Sequence, residues 1–104
     1  MALNHDIIRI AKKKAMQSNC NYKVAALGFN KKFELVCTAF NRHRFVRKGG
    51  SIHAEMAIMK EHPKSIKTII ICRFGRSGDP LPIRPCQQCQ TKAIELGIRI
   101  RTID

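Results

Sequence analysis

The chain has 104 residues, enough for one domain with a single modest core and too few for two, so residues 1–104 are expected to form one unit. An apolar content of 44% fits a globular protein, and no apolar run approaches the length needed to cross a bilayer. Lysine and arginine total 20 against 7 acidic residues, a formal charge of +13, and the field it creates draws polyanions in and speeds their capture.

In chain order, Asn4 is placed to cap a helix from about His5 to Ser18, with Ile7, Ile8, Ala11 and Ala15 on its apolar side and Lys12-Lys13-Lys14 solvated. The lysine triplet interrupts the N-terminal apolar pattern that an export signal would keep whole, so an intracellular protein, cytoplasmic or nucleoid-associated and without a signal peptide, is expected. Lys23 to Phe29 and Phe33 to Phe40 read as two strands of a hairpin around Asn30-Lys31-Lys32. Asn41 to Gly50 is a polar, basic loop closed by two glycines. Ser51 is placed to cap a second helix from about Ile52 to Glu61, which must end before Pro63 because proline disfavours a helical conformation in the residue preceding it.

Thr68 to Cys72 is an apolar run suited to a central strand buried on both faces. Arg73 to Arg84, with two glycines and two prolines, reads as an irregular stretch. Pro85 and Cys86 then open a third helix that stops at Gly97, and Ile98 to Ile103 is a last strand with Arg99 and Arg101 alternating against isoleucines. Helices between strands imply an α/β layer structure with parallel pairing where a helix returns the chain to the sheet.

Five cysteines is an odd number. Cys86 and Cys89 stand three apart in a chain without an export signal, which favours thiolate metal binding over a disulfide framework. Cys37 and Cys72 lie in apolar strand-like runs and read as small buried hydrophobes, while Cys20 falls in a turn with no assigned role.

Two short motifs carry the chemistry. His53-Ala54-Glu55 and Pro85-Cys86-Gln87-Gln88-Cys89 supply three zinc donors and one carboxylate that is not a ligand, in the His-x-Glu and Pro-Cys-x-x-Cys order of zinc-dependent nucleobase deaminases. Three protein ligands leave the fourth tetrahedral position of Zn²⁺ for water, whose pKa then falls to about 7. A structural knuckle would take four protein ligands, with His43 and His62 as the nearby candidates for the fourth. His53 and Glu55 are roughly 200° apart around an ideal helix, so both can serve one metal only from the N-terminal end. Cys86 and Cys89 share one face at a helix start, where the dipole favours thiolate by about 0.3 to 1 kcal/mol. Glu55 is suited to accept a proton from the water and return it, given a carboxyl pKa raised by apolar neighbours such as Ala54, Met56 and Ala57.

On these residues the chain resembles the cytidine deaminase superfamily. The resemblance implies an α/β, three-layer cytidine deaminase-like fold whose mixed sheet joins a β-hairpin to parallel strands in the order 2-1-3-4-5, here cut short after the fourth strand, with both metal-bearing helices on one face. It implies zinc on His53, Cys86 and Cys89, and Glu55 as proton shuttle. Asn41 matches the position where relatives place an asparagine on the sugar of the target nucleotide, or else it caps its own backbone.

Adenosine-directed relatives carry Leu-Glu-Pro-Cys before the second cysteine helix, and antiviral polynucleotide deaminases carry Trp-Ser-Pro-Cys. This chain has Ile83-Arg84-Pro85-Cys86 instead. Cytosine is therefore the favoured base, with Arg84 either meeting a phosphate or solvated. Phe45, between Arg44 and other basic residues, either stacks on an unpaired base or anchors its loop. Asn41, Ala54, Phe45 and Arg84 are thus the candidate substrate contacts. The number of cations favours single-stranded DNA or RNA over a free pyrimidine nucleotide, both remaining open together with a non-catalytic zinc-stabilised nucleic-acid-binding module. No membrane partner is expected, and the exposed edge of a shortened sheet points to a homo-oligomer.

Overall fold

The computed structural model describes residues 2–18, 23–43, 51–75 and 78–102, with backbone only at 2–5, 42–43 and 51–52. Its elements are α1 (Ala2–Ala15), β1 (Lys23–Phe29), β2 (Leu35–Phe40), β3 (Arg42–His43), β4 (Ser51–Ile52), α2 (Ala54–Glu61), β5 (Thr68–Phe74), β6 (Pro80–Leu81), α3 (Gln87–Leu96) and β7 (Arg99–Thr102). No helix among the described residues is long and apolar enough to cross a membrane.

β1 lies between β2 and β5 and is antiparallel to both, with Ala26 opposite Ala39 on one side and Ile71 on the other. Since β1 occupies one edge of β5 along its whole length, β6 and β7 must share the other. β7 runs parallel against Thr68 to Ile71, and β6 folds back antiparallel against Arg73 and Phe74. The sheet is therefore mixed, with the hairpin and the one parallel pair expected from the helix that separates β5 from β7.

Side chains alternate across this sheet as strand geometry requires. Ala25, Leu27 and Phe29 of β1 with Ile70, Cys72 and Phe74 of β5 pack against Ile7, Ala11 and Ala15 of α1. Val24 and Ala26 of β1 with Ile69 and Ile71 of β5 pack on the opposite face against Ala54, Ile58 and Met59 of α2 and Cys89 and Ala93 of α3. Three layers result, and the runs of β1 and β5 read as almost continuously apolar because both faces are covered. Each isoleucine, leucine or phenylalanine buried in this way contributes about 1.5 to 3 kcal/mol. Cys72 is 5% exposed and Cys37 packs at the core margin, the small-hydrophobe role their surroundings suggest.

Several boundaries differ from the sequence expectation. α1 starts before Asn4, which is inside the helix rather than its cap, and ends at Ala15, where Gln17 and Ser18 N–H groups bond back to Lys14 and Ala15 in a tighter turn. β2 begins at Leu35 because Asn30 holds the turn through 34: its side-chain oxygen accepts from Lys32 N and Glu34 N, with Phe33 at φ 61° and stacked on Phe29. Ser51 is not a helix cap. It belongs to β4, which pairs with β3, so α2 starts two residues later than expected. Arg73 and Phe74 extend β5, and Pro80–Leu81 adds a short strand to the stretch read as irregular. α3 ends as expected, with Gly97 in the left-handed conformation at φ 71° and Ile98 N–H bonded back to Ala93 O.

Candidate metal centre

The metal donors come from two helix starts on the same face of the sheet. The β3–β4 pairing delivers the chain to α2 with His53 as N-cap, in an extended conformation and without a side-chain capping hydrogen bond, so the imidazole is not committed to its own helix. Cys86 is the N-cap of α3, and its Sγ accepts the N–H of Cys89 at 3.4 Å. Both halves therefore act from helix ends, as the two-residue spacing of His53 and Glu55 demands.

His53 Nδ1 lies 3.3 Å from Cys86 Sγ and 3.5 Å from Cys89 Sγ, and the three donor atoms are all within 4.8 Å of one another. Zinc bonds of about 2.0 Å to nitrogen and 2.3 Å to sulfur at tetrahedral angles put such atoms about 3.5 Å apart, so the spacing suits this ion. Use of Nδ1 as donor places the imidazole proton on Nε2. Among the described residues no fourth protein donor joins the group. His62 sits at the C-terminal end of α2, at the far end of the helix from His53, and the His43 side chain lies outside the described residues.

Electrostatics at Cys89 depart from the dipole expectation. Burial, then the Glu55 carboxylate, then Cys86, push the Cys89 thiol well above its ordinary range. For a side chain with no exposed surface, desolvation outweighs the helix dipole. A divalent cation among two sulfurs and a carboxylate reverses that balance, because a coordinating thiol is deprotonated outright. The donor chemistry thus fits a thiophilic metal such as zinc, held by His53, Cys86 and Cys89.

Glu55, at the first turn of α2, is 4% exposed. Burial raises its carboxyl above the usual carboxylate range, against the opposing pull of its own backbone N–H and of His53. It lines a cavity of about 230 Å³ with Val24, Asn41, His53, Ala54, Ile83, Arg84 and Cys86. Asn41 is buried, and its side-chain oxygen accepts from Val24 N at 2.9 Å and Ser18 Oγ at 2.8 Å. Those bonds tie the end of β2 to the start of β1 and the turn after α1, which fixes one wall of the cavity.

The structure therefore brings His53, Glu55 and Cys86 together with Asn41, Ala54 and Arg84 around one hollow, and Cys89 joins His53 and Cys86 in the donor group beside it. Phe45, with Arg44 and Arg47, lies outside the described residues. Two lining residues were not foreseen, Val24 and Ile83. Ile83 had a signal in the sequence, since it stands three residues before Cys86, whereas Val24 reaches the cavity only through pairing of β1 with residues distant in the chain.

No family model and no curated protein matches this sequence. Solved structures do. The cytidine deaminase of Mycobacterium leprae superposes with a TM-score of 0.66 at 20% identity, covering 95% of this chain and 87% of that one. The cytidine deaminase of Mycobacterium tuberculosis gives 0.62 at 16% identity, covering 93% and 80%. A point mutant of the latter gives 0.61 at 18% identity, covering 86% and 72%. With its three layers, mixed sheet and paired helix starts, this chain has the cytidine deaminase fold.

Proposed function

We propose that the chain catalyses zinc-dependent hydrolytic deamination of cytosine to uracil, with release of ammonia, in single-stranded DNA or RNA. The observation that carries the reading is the placement of the buried Glu55 carboxyl in one hollow with two of three convergent metal donors. Bound zinc would supply an acidified water. As the water oxygen adds to the amine-bearing ring carbon, Glu55 would carry one water proton to the adjacent ring nitrogen, and it would carry the second, from the new hydroxyl, to the amino group as the C–N bond breaks and ammonia leaves, a task suited to a carboxyl whose pKa is raised by burial. His53, Cys86 and Cys89 would hold the ion. Ala54 would offer a small apolar wall to the base, Asn41 would meet the sugar, and exposed Arg84 at the rim would meet a phosphate.

The net charge of +13 supports a polynucleotide, since one phosphate needs far fewer cations. A second reading, deamination of the free nucleoside or nucleotide, is favoured by the structural neighbours named above, which are cytidine deaminases. Metal analysis of purified protein followed by ammonia release from cytidine, deoxycytidine monophosphate and single-stranded oligonucleotides, at two stated ionic strengths, decides between them. Turnover of oligonucleotides that weakens steeply with salt supports the polynucleotide reading. Turnover of mononucleotides alone overturns it, and metal-free folded protein overturns both. Zinc retention with unchanged nucleic-acid-dependent activity in Glu55→Gln would favour a non-catalytic binding module.

A further inference from the structure

β7, like β2, lies at an edge of the sheet. β5 takes one side of this strand, and no strand among the described residues takes the other. Register fixes which side chains flank that edge. Arg99 and Arg101 pair with Thr68 and Ile70 and so stand on the α1 side, where both are exposed. Ile98 and Ile100 stand on the opposite side, against α3. There a groove of about 430 Å³ is lined by Gln90, Ala93, Ile94, Ile98, Arg99 and Ile100. Ile94 is 78% exposed, the most exposed large apolar side chain among the described residues. The edge thus offers backbone groups that no described strand pairs, with cations along one flank and a largely apolar trough along the other.

A second copy of the chain is a poor occupant. Residues directly opposite in an antiparallel pair share a face, so a two-fold β7 pair centred on residue 99, 100 or 101 sets arginine opposite arginine. Each copy also brings a formal charge of +13. We propose that this edge is a docking site for an extended segment of a partner protein, one that alternates acidic with apolar residues and adds to the sheet beside β7. Its acidic side chains meet Arg99 and Arg101, its apolar ones cover Ile94 and Ile100, and its backbone completes the β7 ladder. The surface is independent of the metal site and of the reaction proposed there.

The probe is a blocked octapeptide alternating glutamate with isoleucine. Two controls carry the same composition or charge: a block version with the glutamates grouped, and a blocked tetraglutamate. The alternating peptide is expected to bind at least tenfold more tightly than either, and to slow amide exchange within residues 99–102. Arg101→Glu should lose that preference and bind an alternating lysine–isoleucine peptide instead. Ile94→Glu, at a site too exposed to disturb folding, should weaken binding at least fivefold. Equal affinity for all three acidic peptides, or no protection at 99–102, overturns the proposal. So does self-association that protects the same amides, or a single-stranded oligonucleotide that protects them and displaces the peptide.

Discussion

On the α1 side of the sheet, Leu27, Phe29, Ile70 and Phe74 meet Ile7, Ala11 and Ala15 in one buried cluster. On the other side, Ala54 and Cys89 belong to the core and to the candidate metal centre at once, and Glu55 is buried beside them. The two faces bury comparable side chains, yet only one couples packing to chemistry. Damage on the α1 side should lower stability and leave the metal centre intact. Damage on the α2–α3 side should register in both.

The largest effect should come from the metal centre itself. Cys89→Ala removes a donor and a fully buried side chain together, so zinc stoichiometry and thermal stability should fall in one variant, read by metal analysis and calorimetry. Glu55→Gln separates the two roles. It keeps the shape and all three donors, so zinc content should hold at the wild-type level while deamination drops by about 10² to 10⁴-fold. If Glu55→Gln loses its zinc, the carboxylate is part of the ligand set and the proton-transfer role is wrong.

On the opposite face, Phe74 is 1% exposed and faces α1. Phe74→Ala should cost about 3 to 5 kcal/mol in urea unfolding, through lost transfer energy plus a cavity. Zinc bound per folded molecule should not change. A parallel loss of metal would mean that the sheet transmits strain between its faces and that the division is false.

These contrasts were unevenly legible in the sequence. His53, Glu55, Cys86 and Cys89 stood out because metal chemistry restricts residue type and spacing, and the helix starts under both motifs followed from Pro85 and from the two-residue offset of His53 and Glu55. The entry to α2 was misread. A serine before a helix-like run resembles a cap, but Ser51 is committed to β4 by pairing with His43, a partner eight residues away that no local pattern marks. Asn4 failed similarly, since helix formation extends past it. Val24 could not be assigned to the cavity from its own neighbourhood, because the bond from its N–H to Asn41 spans 17 positions. The edge of β7 was visible as alternating arginine and isoleucine, whereas which flank each residue takes needed the register with β5.

The α1 side also holds a titratable group that tests its dryness. Burial pushes the Cys72 thiol from the ordinary 9.0 up to about 11. Between those values the unfolded chain releases the proton while the folded chain keeps it, so the unfolded state binds fewer protons and stability falls as pH rises. The loss should approach 2 to 3 kcal/mol, on the order of 1.4 kcal/mol per pKa unit, and be absent below about pH 8. Urea unfolding of wild type and Cys72→Ala under reducing conditions, from pH 7 to 11, isolates it as the difference between the two slopes. Identical slopes would mean that water reaches the α1 side of β5.

The smallest effect is the sharpest test of coupling on the α2–α3 side. Gly28 faces α2, and a Cβ there would lie 2.8 Å from Cys37 Sγ, 2.9 Å from Ile66 Cδ1 and 3.2 Å from Ile58 Cγ2. Ile66 and Ile58 are buried in the core and have little room to yield. Gly28→Ala should therefore destabilise by about 1 to 3 kcal/mol through overpacking. If α2 gives way, it carries His53 relative to Cys86 and Cys89, so zinc affinity should fall as well, a signature that Phe74→Ala must lack. Ile66→Val removes the Cδ1 methyl and should recover part of both losses in the double variant, even though Ile→Val alone costs about 0.5 to 1.5 kcal/mol. Strictly additive losses, with zinc affinity untouched, would show that α2 does not move as a unit and that packing and metal binding are separable even on this face.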